Sequence, residues 1–286
     1  MVQIIFCDFG SFGLGNAMLI HARALSYQKK FGGIILTSRY GKIRLGPILR
    51  SEKKMRTYFG YFRETPYYSL LILKIAHFFL PINVNPNHYS KNWCVVFNAK
   101  IITGQLFLLM KDDSLYIKKK FLELLNKKVR NQLEFVRKKE ISIHIRRGDF
   151  KLSQQQTNLD FFISCINKLR NMLGRMLSVT IFTDADVDEL SEILHLENVL
   201  VEKNDFDIVD IFSLANSKII VLSASSTFGY WAGFFQNKGV LIRPKDWQDK
   251  IQFNDDVFEL VVDPLLAGKY IDDQSTKVVE HYNQSG

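Results

Sequence analysis

Arg146 and Arg147 stand side by side at the end of a run in which Ile141, Ile143 and Ile145 alternate with Ser142, His144 and Arg146. As a strand, the run puts its isoleucines on one face and its polar groups on the other. A strand covered by helices on both sides is ordinarily apolar throughout, so this polar face needs a partner, and paired guanidiniums suit an anion. His144 and Asp149 are the nearest groups able to accept a proton. Asp149 is read first as a salt-bridge partner that orients an arginine, and second as a general base. Arg146 and Asp149 are the catalytic candidates, with His144, Arg146 and Arg147 as ligand-binding residues.

Two further stretches suit an anionic ligand. Gly13 and Gly15 follow a first strand and lead to Asn16, where a helix begins. Glycines allow close backbone approach, and a helix N-terminus favours negative charge. The fingerprint G-x-G-x-x-G is incomplete, because Met18 occupies its third glycine position, so a dinucleotide cofactor is only weakly signalled. Ser225, Ser226 and Thr227 also follow a strand and open a helix. One such hydroxyl is an ordinary cap; three in a row exceed what capping requires and suit phosphate oxygens. Asp184 ends another strand, a position from which carboxylates bind ribose or a base edge, or cap the next helix. The six histidines and three cysteines show neither metal-ligand nor disulfide spacing.

Alternating strands and helices must position these groups. Val2 to Cys7, a glycine loop, a helix over 17–30 and a strand over 34–37 make the usual start of a Rossmann-like domain. Residues 39–100 have no sustained period. One helical stripe over 118–137, including Phe121, Leu125, Val129 and Leu133, leads into the strand at Ile141. Beyond it, strands at 179–183, 199–202, 218–222 and 240–243 alternate with helices at 159–173, 187–194, 208–215 and 225–235. That order predicts a second parallel, doubly wound sheet with right-handed crossovers.

A chain of 286 residues, 47% hydrophobic and 23% charged, is a folded globular protein, which excludes a disordered one. Its 38 Lys and Arg against 29 Asp and Glu give +9, which favours anionic partners such as nucleotides or the surface of an anionic membrane. The N-terminus enters a strand without signal-peptide features, and Leu70 to Leu80 is too short to span a bilayer. The expectation is a cytoplasmic protein, with peripheral contact at the inner face of the membrane as a weaker reading.

Phe12-Gly13-Leu14-Gly15-Asn16-Ala17-Met18, His144-Ile145-Arg146-Arg147-Gly148-Asp149, residues 207–217 and Ser225-Ser226-Thr227-Phe228-Gly229-Tyr230-Trp231 together resemble the bacterial alpha-1,2-fucosyltransferases, glycosyltransferase family 11. The resemblance implies an α/β fold of the GT-B type, two Rossmann-like domains facing a cleft. It implies an acceptor-side domain over 1–138, a nucleotide-sugar domain over 139–250 and a tail over 251–286 that packs back on the first domain. The donor it implies is GDP-fucose, with inversion at the anomeric carbon, no metal or other cofactor, and no nucleic acid. The acceptor would be a galactose-containing oligosaccharide or lipid-linked glycan. Arg146 and Arg147 would stand at the pyrophosphate, with Ser225, Ser226, Thr227, Asn16, Gly13 and Gly15 near the phosphates or fucose and Asp184 at the guanosine.

This chain departs from the family pattern at Ala17, where the family has Gln, at Ala185, where a second Asp is usual, and at Gly229 and Tyr230, where it has Ser and Trp. Two other readings stay open: an enzyme of the same fold using another nucleotide sugar, and a basic nucleotide-binding or membrane-associated module without transfer activity.

Overall fold

The computed structural model describes residues 2–41, 57–63, 92–102, 104–148 and 156–286. They form two compact units, Met1–Asn131 and Gln132–Gly286. The expectations for the rest of 39–100, including the apolar stretch Leu70 to Leu80, and that for Asp149 lie outside the described residues.

In the first unit, β1 (Ile4–Cys7) pairs in parallel with β2 (Ile34–Thr37) on one side and β3 (Cys94–Phe97) on the other. Helix α1 (Leu14–Phe31) connects β1 to β2 and buries Ala17, Met18, Ile20 and Ala24. It starts three residues before the predicted position, because Gly13 in an extended conformation serves as its N-cap. Gly33, at φ 111°, allows the return into β2: a Cβ there would lie 2.8 Å from the Gln3 carbonyl oxygen.

The single helix expected over 118–137 is two. Helix α2 (Ser114–Leu124) stops where Leu125 turns extended (ψ 143°), and α3 (Lys127–Leu133) follows. Leu125 is fully buried and forms a bridge with Phe62, a tertiary pairing that outweighs the continuous apolar stripe.

The second unit holds a six-stranded, all-parallel sheet in the order β6-β5-β4-β7-β8-β9. Its strands are β4 (Lys139–Ile145), β5 (Val179–Thr183), β6 (Val199–Val201), β7 (Ser217–Leu222), β8 (Gly239–Pro244) and β9 (Val257–Val262). Between them run α4 (Leu159–Leu173), α5 (Asp207–Ala215) and α6 (Thr227–Phe235). Numbered within the unit, the order is 3-2-1-4-5-6, that of the doubly wound dinucleotide-binding sheet. The chain reverses its winding between β4 and β7, and ligands of such sheets bind beyond the carboxyl ends of the strands at that point.

Ile141, Ile143 and Ile145 are fully buried against Phe162, Cys165 and Ile166 of α4, as the alternation requires. Ser142, on the opposite face, is satisfied within the sheet by the Ser217 hydroxyl at 2.6 Å. The segment over 251–286, set apart as a tail in the sequence, supplies β9, α7 (Ala267–Asp273) and α8 (Ser275–Gln284) to the second unit. Leu260 and Val262 bury one side of β9, and Val278 and Tyr282 of α8 join the same core.

Candidate active site

The carboxyl ends of β4 and β7 lie side by side, and their backbones are joined by one side chain. Ser223, the first residue after β7, accepts a hydrogen bond from the Arg146 backbone N–H at 2.9 Å and donates from the same hydroxyl to the His144 carbonyl at 3.0 Å. The two loops leaving the switch point are therefore fixed to one another. One carries the arginines and the other the serines.

Arg146 extends to Asp184 at the end of the neighbouring β5, and its Nη1 donates to Asp184 Oδ2. Asp184 Oδ1 accepts the Arg147 backbone N–H at 2.7 Å. The two side chains of the ion pair remain 17% and 21% exposed, so the pair lies at the partly open end of the sheet and not in its core. Arg147 differs: it is buried, its Nη1 donates to the Thr157 carbonyl at 2.7 Å, and burial pulls its pKa below the usual arginine value. Thr157 ties the arginine loop to the serine loop, since its hydroxyl accepts the Ala224 N–H at 2.9 Å. Of the two arginines, Arg146 is the one presented at the strand ends; Arg147 organises the chain beneath it.

His144 is buried and stacks on Phe228 with ring centroids 5.1 Å apart. Burial lowers its pKa to about 4; Asp184 pulls the other way and Arg146 adds to the depression. Its Nδ1 finds no hydrogen-bond partner among the described residues. A Cβ on Gly229 would come within 2.9 Å of that atom, so glycine is what leaves the imidazole its place.

Ser226 caps α6, its hydroxyl accepting from the Gly229 N–H at 3.5 Å, and Thr227 is the first helical residue. Ser225, just before the cap, has a left-handed backbone, φ 55°. The start of α6 thus brings free amides and hydroxyls to the end of the sheet beside Arg146, which suits phosphate oxygens.

Of the sequence candidates, His144, Arg146, Arg147, Asp184, Ser225, Ser226 and Thr227 gather at this switch point. Gly13, Gly15 and Asn16 belong to the first unit: Gly13 caps α1, while Gly15 and Asn16 lie within its first turn, where the Asn16 Oδ1 is buried without a partner among the described residues. Thr157, Ser223 and Asp246 are site-shaping residues the sequence reading passed over. Asp246 follows β8 in the segment Arg243-Pro244-Lys245-Asp246-Trp247. Among the described residues no group of His, Cys, Asp and Glu could hold a metal ion, and no helix is long and apolar enough to cross a membrane.

Residues 105–259 match the family described as Glycosyl transferase family 11. No curated protein matches the chain. Among solved structures, the chain is similar to fucosyltransferase NodZ from Bradyrhizobium, at 12% identity and a TM-score of 0.52, covering 87% of this chain and 97% of that one. It is also similar to NodZ alpha-1,6-fucosyltransferase soaked with GDP-fucose, at 13% identity and a TM-score of 0.50, covering 82% and 93%. At such identities the likeness is one of fold, mixed α/β with parallel sheets.

Proposed function

The chain belongs to glycosyl transferase family 11, and from that premise we propose that it transfers L-fucose from GDP-fucose to a sugar hydroxyl, with galactose O2 of a glycan as the acceptor and with inversion at the anomeric carbon. The observation that carries this reading is the Arg146 backbone N–H held on Ser223, which ties a partly exposed arginine to the loop that leads into a serine-rich helix start at the switch point of the sheet. The diphosphate of the donor is the anion that Arg146 and the start of α6 would share. The NodZ structure soaked with GDP-fucose has a similar fold, which supports the choice of donor.

On this reading the bond from fucose C1 to the β-phosphate oxygen breaks and its electron pair leaves with GDP. The acceptor oxygen bonds to C1 and gives up its proton. Arg146 stabilises the charge that grows on the leaving diphosphate, with Asp184 holding the fork in line, so the proposal needs no metal. The arrangement of the two units as facing halves of a GT-B enzyme, the galactoside acceptor and an acceptor carried at a membrane surface are parts of the same proposal. So are donor roles for Asn16, Gly13 and Gly15, and a supporting role for Asp149.

The test is incubation with GDP-fucose, GDP-mannose and UDP-galactose against a panel of galactosides, with and without EDTA, reading GDP or UDP release and product mass. Fucosylated galactoside formed equally well in EDTA supports the proposal. Transfer from a different donor replaces the fucose assignment.

A further inference from the structure

The serine loop that follows β7 adopts a conformation its own residues disfavour. Ser225 sits at φ 55°, a region that residues with a Cβ rarely enter and that carries a free-energy cost. Its backbone N–H is claimed by two acceptors, the Tyr230 hydroxyl oxygen at 2.6 Å and Asp246 Oδ2 at 2.7 Å, and its own hydroxyl donates to the same carboxylate oxygen at 3.4 Å. The Tyr230 hydroxyl donates to Asp246 Oδ2 as well. Asp246 Oδ1 takes the Gln248 N–H at 2.9 Å and the Arg243 Nη1 at 3.3 Å.

The hold extends to the edge of the sheet. Arg243, with no exposed surface, donates from Nε to Glu259 of β9 at 2.7 Å and from Nη2 to the Asp249 carbonyl at 3.0 Å. Glu259 in turn accepts the Ile251 and Gln252 amides. A carboxylate this close to an anion site would repel the anion if it were bare. Asp246 is instead surrounded by donors from Ser225, Tyr230, Gln248 and Arg243, so its charge is spent on the protein.

We infer that Asp246, together with the Tyr230 hydroxyl, is a positioning residue for donor binding: it locks Ser225 in the left-handed form, and so aims the amides and hydroxyls at the start of α6 at the diphosphate. The inference rests on the donor reading given above. Neither side chain touches the donor. Both act through Ser225.

The experiment uses the full-length protein. GDP affinity is measured by calorimetry, and KM and kcat for GDP-fucose are measured with a galactoside acceptor, for wild type, Tyr230→Phe, Asp246→Asn and Glu259→Gln. Tyr230→Phe keeps the buried ring and removes only the hydroxyl, so it stays folded where Asp246→Asn fails. Tyr230→Phe weakens GDP binding and raises KM by roughly 3- to 10-fold, the effect of one lost hydrogen bond in a fixed site, while kcat holds. Asp246→Asn weakens binding further. Glu259→Gln, at the far end of the network, lowers the melting temperature more than it changes GDP affinity. Wild-type and Tyr230→Phe proteins that bind GDP equally overturn the inference and leave the donor reading standing. A wild type that binds no GDP removes both.

Discussion

Asp184 grips Arg146 and Arg147 with different oxygens: Oδ2 takes the Arg146 guanidinium, and Oδ1 takes the Arg147 backbone N–H. A single carboxylate at the end of β5 therefore sets both the direction of the guanidinium and the path of the chain that carries it. The sequence suggested Asp149 as the support of the arginines and Asp184 as a guanosine contact. In the structure Asp184 holds both arginines, and Asp149 is outside the described residues.

Replacing Asp184 should misaim Arg146 without removing it. Asp184→Ala loses both contacts, and kcat is expected to fall by about 100-fold, the scale set by small misplacements of catalytic groups. Asp184→Asn keeps an oxygen for the Arg147 amide and should retain more activity than the alanine variant. Steady-state kinetics of the two variants, at matched folding by circular dichroism, make the comparison. Equal activity in both would mean that the charge of Asp184 is the whole of its role.

Gly229 should resist enlargement in a graded way. Gly229→Ala forces a methyl group to within 2.9 Å of His144 Nδ1 and 3.1 Å of a Leu222 methyl, and the overpacking should cost about 1–3 kcal/mol in unfolding free energy. Gly229→Ser adds a hydroxyl able to hydrogen-bond the unpartnered Nδ1, so part of that loss should return. Urea unfolding of the pair reads the difference directly; a serine variant less stable than the alanine variant would contradict this account of His144.

Acid should weaken the fold before it reaches the range of ordinary carboxylates. Burial holds His144 at about 4 and His21 at about 3 in the folded chain, against about 6.5 in the unfolded one. The unfolded state thus binds protons that the folded state refuses. Stability from these two groups is complete above pH about 6.5 and is lost as pH falls toward 4 and then 3. The melting temperature should drop across that window, and His144→Phe should show a smaller drop than wild type. An identical drop would remove His144 from the effect.

Much of the second unit was readable in the sequence because its strands are short apolar runs separated by helices of clear period. The polar face of β4 was readable too, as the conflict between an alternating pattern and a buried place. What escaped was non-local. Leu125 breaks a helical stripe because Phe62 pairs with it, and β9 joins the sheet although its Glu259 interrupts the apolar run, because Arg243 of β8 lies beside it. The fixing of Arg146 to Ser223 across 77 residues follows from strand order, which local pattern does not encode. The serine block was legible as a helix start, while the left-handed Ser225 and the carboxylate that holds it were not.

The central claim, that Arg146 clamps the leaving diphosphate, is tested most directly by the rate of fucose transfer from GDP-fucose in Arg146→Lys. Lysine keeps the charge and loses the planar fork that Asp184 aligns. A fall of about 100-fold or more in kcat, with the melting temperature preserved, is the expected result. A lysine variant that turns over at close to the wild-type rate would contradict it.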